Sequence, residues 1–573
     1  MADVLGSLRT TLEAADQRAA AGRFERAASW HALLPFLMVA LPAAALFFFH
    51  LGAYGLWEPD EGRYAEIARE MLATGNYLVP QMNYVPYVEK PPLLYWLTAL
   101  SMRGFGVNEF AARSVNAIAA LIGVVAVYYF TLRVFDRRHA VFAGLILTTC
   151  ALYAVMAQVL TTDMLLTATV TVALFALYLH WCQGGQWWWL IYVSAGLAVL
   201  TKGPIGAVIP AAAGLIFLAL EGDLRGVFRR FHVVAGAMII LLITGPWFVA
   251  MGLRQPDFLD FYFVGEHLRR FFDASYSHAE PFYYYVPIIF AGTLPWSLTA
   301  PFWRWRGWAS SPPRRFCLVT TAVIFTIFSA ASAKLIPYLL PAFPCLAILL
   351  ADRLLSSADN NGGKRLAWGG GLMSAAGLAT IVVGLVAADF SSPNPGLVRA
   401  ELLAAGGVLT VGGALVFVLF RWRPPLAGLS AIAATAAVVL LIASYGRLAA
   451  ESSRSYAALA RTIARRAPDA RLICYPRYID ALPFYTQRRV ILVGPKTELA
   501  YGAAHAADGP AYFFDRRADV IRLWREPEPS VLVVDRPAFR TIEGALGAYR
   551  VVASDGRKIA VTQASPPAAK ADE

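Results

Sequence analysis

Long apolar segments recur along this chain and limit its fold more than any other feature of the sequence. A helix needs about 20 apolar residues to cross a bilayer, and 58% of the 573 residues are hydrophobic, whereas 15% are charged. Ordinary soluble domains have about 25% charged residues, so we predict a polytopic α-helical membrane protein with about 13 transmembrane helices. The predicted spans are 32–50, 111–133, 139–157, 163–182, 187–201, 203–221, 232–252, 284–302, 316–332, 336–351, 366–388, 400–420 and 426–446.

The basic residues predict which loops face the cytoplasm. The net charge is +12, and on a membrane protein this excess suits loops beside anionic head groups better than it suits nucleic-acid binding. If the N-terminus is cytoplasmic, arginines such as Arg137, Arg138, Arg225 and Arg229 gather on that side, and the opposite loops carry few. This asymmetry agrees with the positive-inside rule, and with a cytoplasmic N-terminus the odd number of predicted spans places the tail in the outer compartment.

The pattern predicts three regions. Residues 1–31 are expected to form a basic amphipathic segment on the cytoplasmic surface. Residues 32–447 hold the spans and two large outer loops at about 51–110 and 253–283. Residues 448–573 contain short apolar runs separated by helix-like stretches, which predict a small soluble α/β domain in the same compartment as those loops.

The first outer loop carries the densest group of ionisable residues. Glu58, Asp60 and Glu61 lie beside Arg63 at the end of a predicted span, and polar groups held there suit a substrate with an apolar tail and an anionic head. A purely structural interpretation is also open. Asp60 could be only the N-cap of a following helix, Glu61 and Arg63 a solvated cluster, and the dipeptide at 89–90 an exposed ion pair before a proline turn.

This loop resembles the signature of the lipid-dependent GT-C class of membrane glycosyltransferases, most of all the lipid A 4-amino-4-deoxy-L-arabinose transferases. The resemblance extends over about 56–345, and protein O-mannosyltransferases share part of the first-loop pattern. The matching segments are Glu58-Pro59-Asp60-Glu61-Gly62-Arg63-Tyr64, Tyr87-Val88-Glu89-Lys90-Pro91-Pro92-Leu93, Leu160-Thr161-Thr162-Asp163-Met164, Leu200-Thr201-Lys202-Gly203-Pro204, Gly265-Glu266-His267-Leu268-Arg269-Arg270-Phe271, and 332–341.

The resemblance implies a GT-C fold and a specific reaction. Undecaprenyl phosphate carries the amino sugar, and the enzyme moves it to a phosphate of lipid A at the periplasmic face of the bacterial inner membrane. This transfer would change the charge of lipopolysaccharide and the resistance to polymyxin and other cationic peptides. The donor's tail must remain in lipid, which agrees with motifs at the outer ends of the spans. We expect a monomer that binds membrane lipids, the donor and lipid A, and no nucleic acid.

The matched motifs also supply candidate site residues. Asp60 is the candidate base or acceptor-orienting carboxylate, and Asp163 is the second carboxylate. Donor and acceptor are both phosphates, so cations are needed, and arginine can bind phosphate through two hydrogen bonds. The catalytic candidates are Asp60, Asp163, Lys90 and Arg63; the substrate-binding candidates are Glu89, Tyr87, Lys202, Arg270 and Tyr64. No cofactor is expected to be required, although Glu89 and His267 could pair on a divalent metal.

Two other functions remain open at this point. A glycosyltransferase with a protein hydroxyl as its acceptor would need Asp60 as a true base and fewer cations, so the cluster of Arg63, Lys90, Arg269 and Arg270 favours a phosphate acceptor. A lipid transporter or flippase would carry charged residues in mid-span and paired broken helices. Here the ionisable residues gather at span ends.

Overall fold

A computed structural model gives the architecture of residues 33–255, 257–269, 280–303, 309–358, 362–386, 394–556 and 558–564. Within these ranges, eight helices are long and apolar enough to cross a membrane, as expected of a multi-pass membrane protein. They are Glu109–Val134, Thr162–Gln183, Val233–Arg254, Pro312–Ala330, Ile336–Ala358, Gly363–Val386, Pro395–Trp422 and Pro425–Arg454. The predicted amphipathic segment 1–31 lies outside the described residues.

Shorter helices occupy the remaining predicted spans, so the total number of crossings stays a prediction. They are Leu33–Phe48, Arg137–Thr149, Ala151–Met156, Trp187–Lys202, Ile205–Leu220, Tyr285–Gly292 and the 3-10 helix Trp296–Phe302. Two predicted spans are broken. Segment 139–157 is interrupted at Cys150, whose backbone is extended, and 284–302 is interrupted before Trp296. A short helix Val227–Arg230 and a π-helix Asp260–Arg269 complete the bundle's connections.

The first outer loop folds into two helices and a small hairpin. Helix Asp60–Thr74 ends at Gly75, which has a φ of 69° that favours glycine. Strands β1 (Gln81–Met82) and β2 (Val85–Pro86) pair antiparallel, and helix Leu93–Phe105 follows. Helix Asp60–Thr74 is buried without interruption from Glu61 to Met71, although many of these residues are polar, because protein covers it on all sides.

The tail folds around one mixed sheet of six strands in the described residues, in the order β5-β4-β3-β6-β8-β7. Strands β3 to β6 are parallel, and β7 and β8 are antiparallel. The strands are β3 (Arg471–Tyr475), β4 (Val490–Val493), β5 (Phe513–Phe514), β6 (Ser530–Asp535), β7 (Tyr549–Asp555) and β8 (Lys558–Gln563). The helices are Ala457–Arg466, Ala481–Thr486, Thr497–Leu499, Ala500–His505, Gly509–Tyr512, Arg517–Trp524 and Arg536–Leu546. This arrangement confirms the predicted C-terminal α/β domain.

The sheet domain docks directly on the first outer loop. Asn83 donates to the carbonyl of Val490 at 2.8 Å, and its own side-chain oxygen accepts the Val490 N–H at 2.8 Å. A Cβ added to Gly62 would lie 2.6 Å from the backbone nitrogen of Ala481, so only glycine permits this approach. Helix Asp60–Thr74 is therefore held between the helix bundle and the sheet domain.

Candidate active site

Asp60 is the first residue of its helix, and its carboxylate remains accessible. Pro59 occupies the N-cap position and no side chain caps this helix, so the interpretation of Asp60 as an N-cap is wrong. Its side chain is 49% exposed, whereas the next eleven residues of the helix, Glu61 to Met71, are all buried. The Asp60 carboxylate can therefore contact a ligand at the N-terminal end of a helix whose following eleven residues are buried.

Charges from three other segments converge on Asp60. The pKa of its carboxyl is raised because surrounding protein restricts its hydration, and Asp163 and Glu498 raise it further, while Arg63 and Lys202 oppose them. A raised pKa makes a carboxylate a stronger proton acceptor. Residues that the sequence places more than 100 positions apart thus act on one carboxylate.

Asp163 and Lys202 form a close ion pair beside Asp60. The Lys202 Nζ lies 2.5 Å from the Asp163 Oδ1, and both side chains are nearly buried. Asp163 lies in the first turn of helix Thr162–Gln183, and Lys202 is the last residue of helix Trp187–Lys202. At these ends each charge is stabilised by the dipole of its own helix. Lys202 also lies 4.1 Å from the ring centroid of Tyr338. The positive charge of Lys202 is therefore balanced by Asp163.

Arg63 faces the sheet domain and not open solvent. Its Nε lies 3.1 Å from Asp480 Oδ1 and its Nη2 lies 3.0 Å from Glu498 Oε1, while its Nη1 lies 3.8 Å from Asp60 Oδ1. The side chain is 8% exposed. Arg63 thus links the Asp60 helix to the sheet domain, and its predicted role at the reacting phosphate stays a prediction.

Glu58 holds the same interface from the other side. Its carboxylate accepts the backbone N–H groups of Asp480 at 3.0 Å and Ala481 at 2.8 Å. Burial and the neighbouring Asp480 raise the pKa of Glu58 well above its ordinary value. Glu58 therefore supports the domain contact and does not belong to an exposed carboxylate cluster.

Glu61 has a structural partner that sequence reasoning missed. Arg113 donates to both carboxylate oxygens of Glu61 at 2.8 Å, and the backbone N–H groups of Trp57 and Leu160 donate at 3.0 Å. Arg113 is completely buried and also donates to the carbonyls of Leu51, Tyr54 and Gly55. The interpretation of Glu61 and Arg63 as a solvated cluster is therefore wrong. The available signal was Arg113 itself, an arginine within an apolar span that requires a partner.

A buried group of tyrosines connects Asp60 to Glu89. The Tyr87 hydroxyl donates to Glu89 at 3.1 Å, and the rings of Tyr64 and Tyr95 lie 5.9 Å apart. Burial raises the pKa of all three tyrosines, and Glu89 and Asp60 both act on Tyr95. Glu89 and Asp60 therefore lie close enough to act on the same buried tyrosine.

The remaining candidates are only partly described. Lys90 is half-buried and its Nζ donates to the carbonyl of Glu89 at 3.2 Å. Arg270 lies outside the described residues, as does the side chain of His267, so neither placement is tested. Within the described ranges, no three His, Cys, Asp or Glu side chains converge as a metal site would require. A metal at Glu89 and His267 stays a prediction.

Asp480 and Glu498 were also missed, and the sequence offers no signal for them. They lie more than 400 positions from Arg63 and belong to a domain whose own pattern predicts only strands and helices. Their role depends on how that domain docks.

The sequence of this chain is similar to those of known membrane glycosyltransferases. The dolichyl-phosphate-mannose-protein mannosyltransferase family profile matches residues 89–249, and the aminoarabinose transferase C-terminal domain profile matches 459–563. The undecaprenyl phosphate-alpha-4-amino-4-deoxy-L-arabinose arabinosyl transferase of Shewanella sediminis is 33% identical over 56% of this chain and 60% of its own length. Its counterpart from Aeromonas hydrophila is 33% identical over 60% and 64%. The matches thus span less than two thirds of these relatives.

Solved structures extend the similarity over almost the whole chain. The crystal structure of ArnT from Cupriavidus metallidurans bound to undecaprenyl phosphate matches with a TM-score of 0.81 and 26% identity, covering 93% of this chain and 98% of that one. An Archaeoglobus fulgidus oligosaccharyltransferase shares the fold, with a TM-score of 0.52 at 14% identity over 92% of this chain and 74% of its own. The chain therefore has the fold of the GT-C membrane glycosyltransferases, and in sequence and structure it is similar to the aminoarabinose transferases.

Proposed function

We propose that the protein transfers 4-amino-4-deoxy-L-arabinose from undecaprenyl phosphate to a phosphate of lipid A. The family similarity supports the donor, since the Cupriavidus relative was crystallised with undecaprenyl phosphate and the curated relatives are named for this sugar donor. The observation that carries the proposal is the half-exposed Asp60 carboxylate beside the Asp163–Lys202 ion pair.

In the proposed reaction, a lipid A phosphate oxygen attacks the anomeric carbon of the sugar, and the bond from that carbon to the donor phosphate breaks. The acceptor phosphate is already ionised at neutral pH, so little proton abstraction is needed. Asp60 orients the acceptor or stabilises positive charge that develops on the sugar ring, and most of the rate enhancement comes from positioning and electrostatics. Lys90 and Arg270 neutralise the departing phosphate, and Asp163 or Glu89 pairs with the sugar's amino group.

We propose that no cofactor is required, because lysine and arginine side chains can supply the positive charge that phosphates need. Transfer is then expected to be unchanged when a chelator such as EDTA removes divalent cations. Loss of transfer with EDTA, restored by one added divalent metal, would instead support the metal pair Glu89 and His267.

The proposed location is the bacterial inner membrane, with the site on the periplasmic side. The donor's tail must stay in the bilayer, and the sheet domain and first outer loop lie together over one end of the helix bundle. Labelling of a single cysteine placed at Asp515, an exposed position of the sheet domain, tests the sidedness. A reagent that cannot cross the inner membrane is expected to reach it.

The deciding experiment supplies the purified protein with the undecaprenyl-linked amino sugar and lipid A, and measures the lipid by mass spectrometry. Addition of one pentosamine is expected. Asp60→Asn should abolish most of it, whereas Asp515→Asn, which makes the same change on the surface of the sheet domain, should not. Normal transfer by Asp60→Asn would remove Asp60 from the catalytic residues.

A protein acceptor is the second candidate, because the mannosyltransferase profile matches 89–249. The same assay with peptides in place of lipid A separates the two. Glycosylated peptide with unmodified lipid A would overturn the phosphate acceptor. Movement of the donor across the bilayer without any transfer would favour the flippase hypothesis.

A further inference from the structure

We infer that the protein binds one anionic phospholipid in an apolar groove at the end of the helix bundle farthest from Asp60. The groove has a volume of about 510 Å³, within the range of pockets that enclose small ligands. This inference goes beyond the proposed function and does not depend on it.

The lengths of three consecutive helices place the groove at the opposite membrane face. Helix Thr162–Gln183 begins at the site with Asp163 and has 22 residues, about 33 Å at 1.5 Å per residue. Helix Trp187–Lys202 returns to the site, and helix Ile205–Leu220 leads away from it again, with 16 residues each, about 24 Å. The connection after Leu220 therefore lies far from Asp60.

The walls of the groove are apolar side chains and small residues. Helix Ile205–Leu220 contributes the small residues Ala207 and Ala211, and the connection contributes Phe228, which is 76% exposed. The floor is closed by Tyr192, whose ring lies against helix Val233–Arg254 where a Cβ on Gly236 would be only 2.2 Å away. Such a groove fits an acyl chain.

Cations lie at the mouth of the groove. Leu224, Val227 and Phe228 line it, and Arg225 and Arg229 alternate with them in the sequence. Both arginines are exposed, and within the described residues neither forms an ion pair. Arg230 differs, because it lies 2.6 Å from Asp223.

Two uncompensated arginines beside an acyl-chain groove favour a lipid whose head group is negative. Basic pockets between helices at a membrane face bind anionic head groups in this way, and arginine can donate two hydrogen bonds to one phosphate. A zwitterionic lipid would place its own positive group among these arginines. The chemistry therefore selects an anionic phospholipid such as phosphatidylglycerol.

The test is native mass spectrometry of the purified full-length protein, titrated with phosphatidylglycerol or phosphatidylcholine. The expected result is one phosphatidylglycerol retained at least ten-fold more tightly than phosphatidylcholine. Arg225→Ala/Arg229→Ala should remove this preference. The control Arg137→Ala/Arg138→Ala removes two exposed arginines from another loop at the same membrane face and should keep it.

A second pair of variants tests the groove itself. Ala211→Trp fills the groove and should lose the retained lipid, whereas Val208→Trp places the same side chain on the lipid-exposed side of the same helix, outside the groove lining, and should keep it. Equal retention of both phospholipids, equal losses in the two arginine pairs, or displacement of phosphatidylglycerol by undecaprenyl phosphate at equal concentration would overturn the inference. Lipid retention and displacement can be measured without transferase activity, so a negative result would contradict this inference and leave the proposed function untouched.

Discussion

Replacing Glu61 by glutamine should destabilise the protein strongly, because it breaks a buried ion pair and leaves its partner charged. Arg113 is completely buried and Glu61 is 2% exposed. Removing one member of a buried pair costs about 3–5 kcal/mol in the free energy of unfolding. Glutamine has one acceptor oxygen, whereas the N–H groups of Trp57 and Leu160 bond to different oxygens of Glu61, so one of them also loses its acceptor. We therefore expect a loss of about 3–5 kcal/mol.

The assay is equilibrium unfolding in mixed micelles of a mild detergent and dodecyl sulfate, followed by tryptophan fluorescence. Glu528→Gln is the matched control. Glu528 lies 2.9 Å from Arg471 and its side chain is 65% exposed, so the same change there should cost only about 0–1 kcal/mol. A difference of less than about 1 kcal/mol between the two variants would refute the reasoning from burial.

The same pair predicts a dependence on pH. Burial raises the pKa of Glu61, but Arg113 and the hydrogen bonds outweigh it, and the pKa in the folded protein is lowered. A carboxyl with a lowered folded pKa contributes stability above its unfolded pKa and loses it as the pH falls through the folded value. The unfolding free energy of the wild type should therefore fall more on acidification than that of Glu61→Gln.

Three further predictions concern the site. Because the pKa of Asp60 is raised, lowering the pH should reduce kcat/KM for transfer already at a pH above the ordinary pKa of an aspartate. Asp60→Asn should lower kcat on the order of 100-fold or more. Lys202→Met removes a charge that lowers this pKa, so the acid limb of the same pH profile should move to higher pH. Gly62→Ala would place a Cβ 2.6 Å from the nitrogen of Ala481, so limited proteolysis of this variant should release the sheet domain. The control Gly104→Ala, where nothing lies within 4 Å of the added Cβ, should not release it. Equal cleavage of both variants would contradict the docking described above.

Much of the fold follows from local patterns in the sequence. Apolar length alone predicts helices such as Glu109–Val134 and Thr162–Gln183, because a bilayer-spanning segment must satisfy its own backbone hydrogen bonds. Short apolar runs predict strands β3, β4, β6 and β7 of the tail. The very short β5 and the final β8 were missed, because two residues carry no periodicity and because β8 is defined by its pairing with β6 and β7.

The sequence by itself determined the class of protein and which residues carry charge at the span ends, including Asp60, Asp163 and Lys202. Only the tertiary structure decided how those charges are paired. Arg63 looks like a free cation in the sequence, but docking of the sheet domain brings Asp480 and Glu498 to it. The physical reason is that hydrophobic periodicity reports on local structure over a few residues. An ion pair instead requires two side chains to lie within a few ångströms of each other, and the separation of their segments along the chain does not predict that contact.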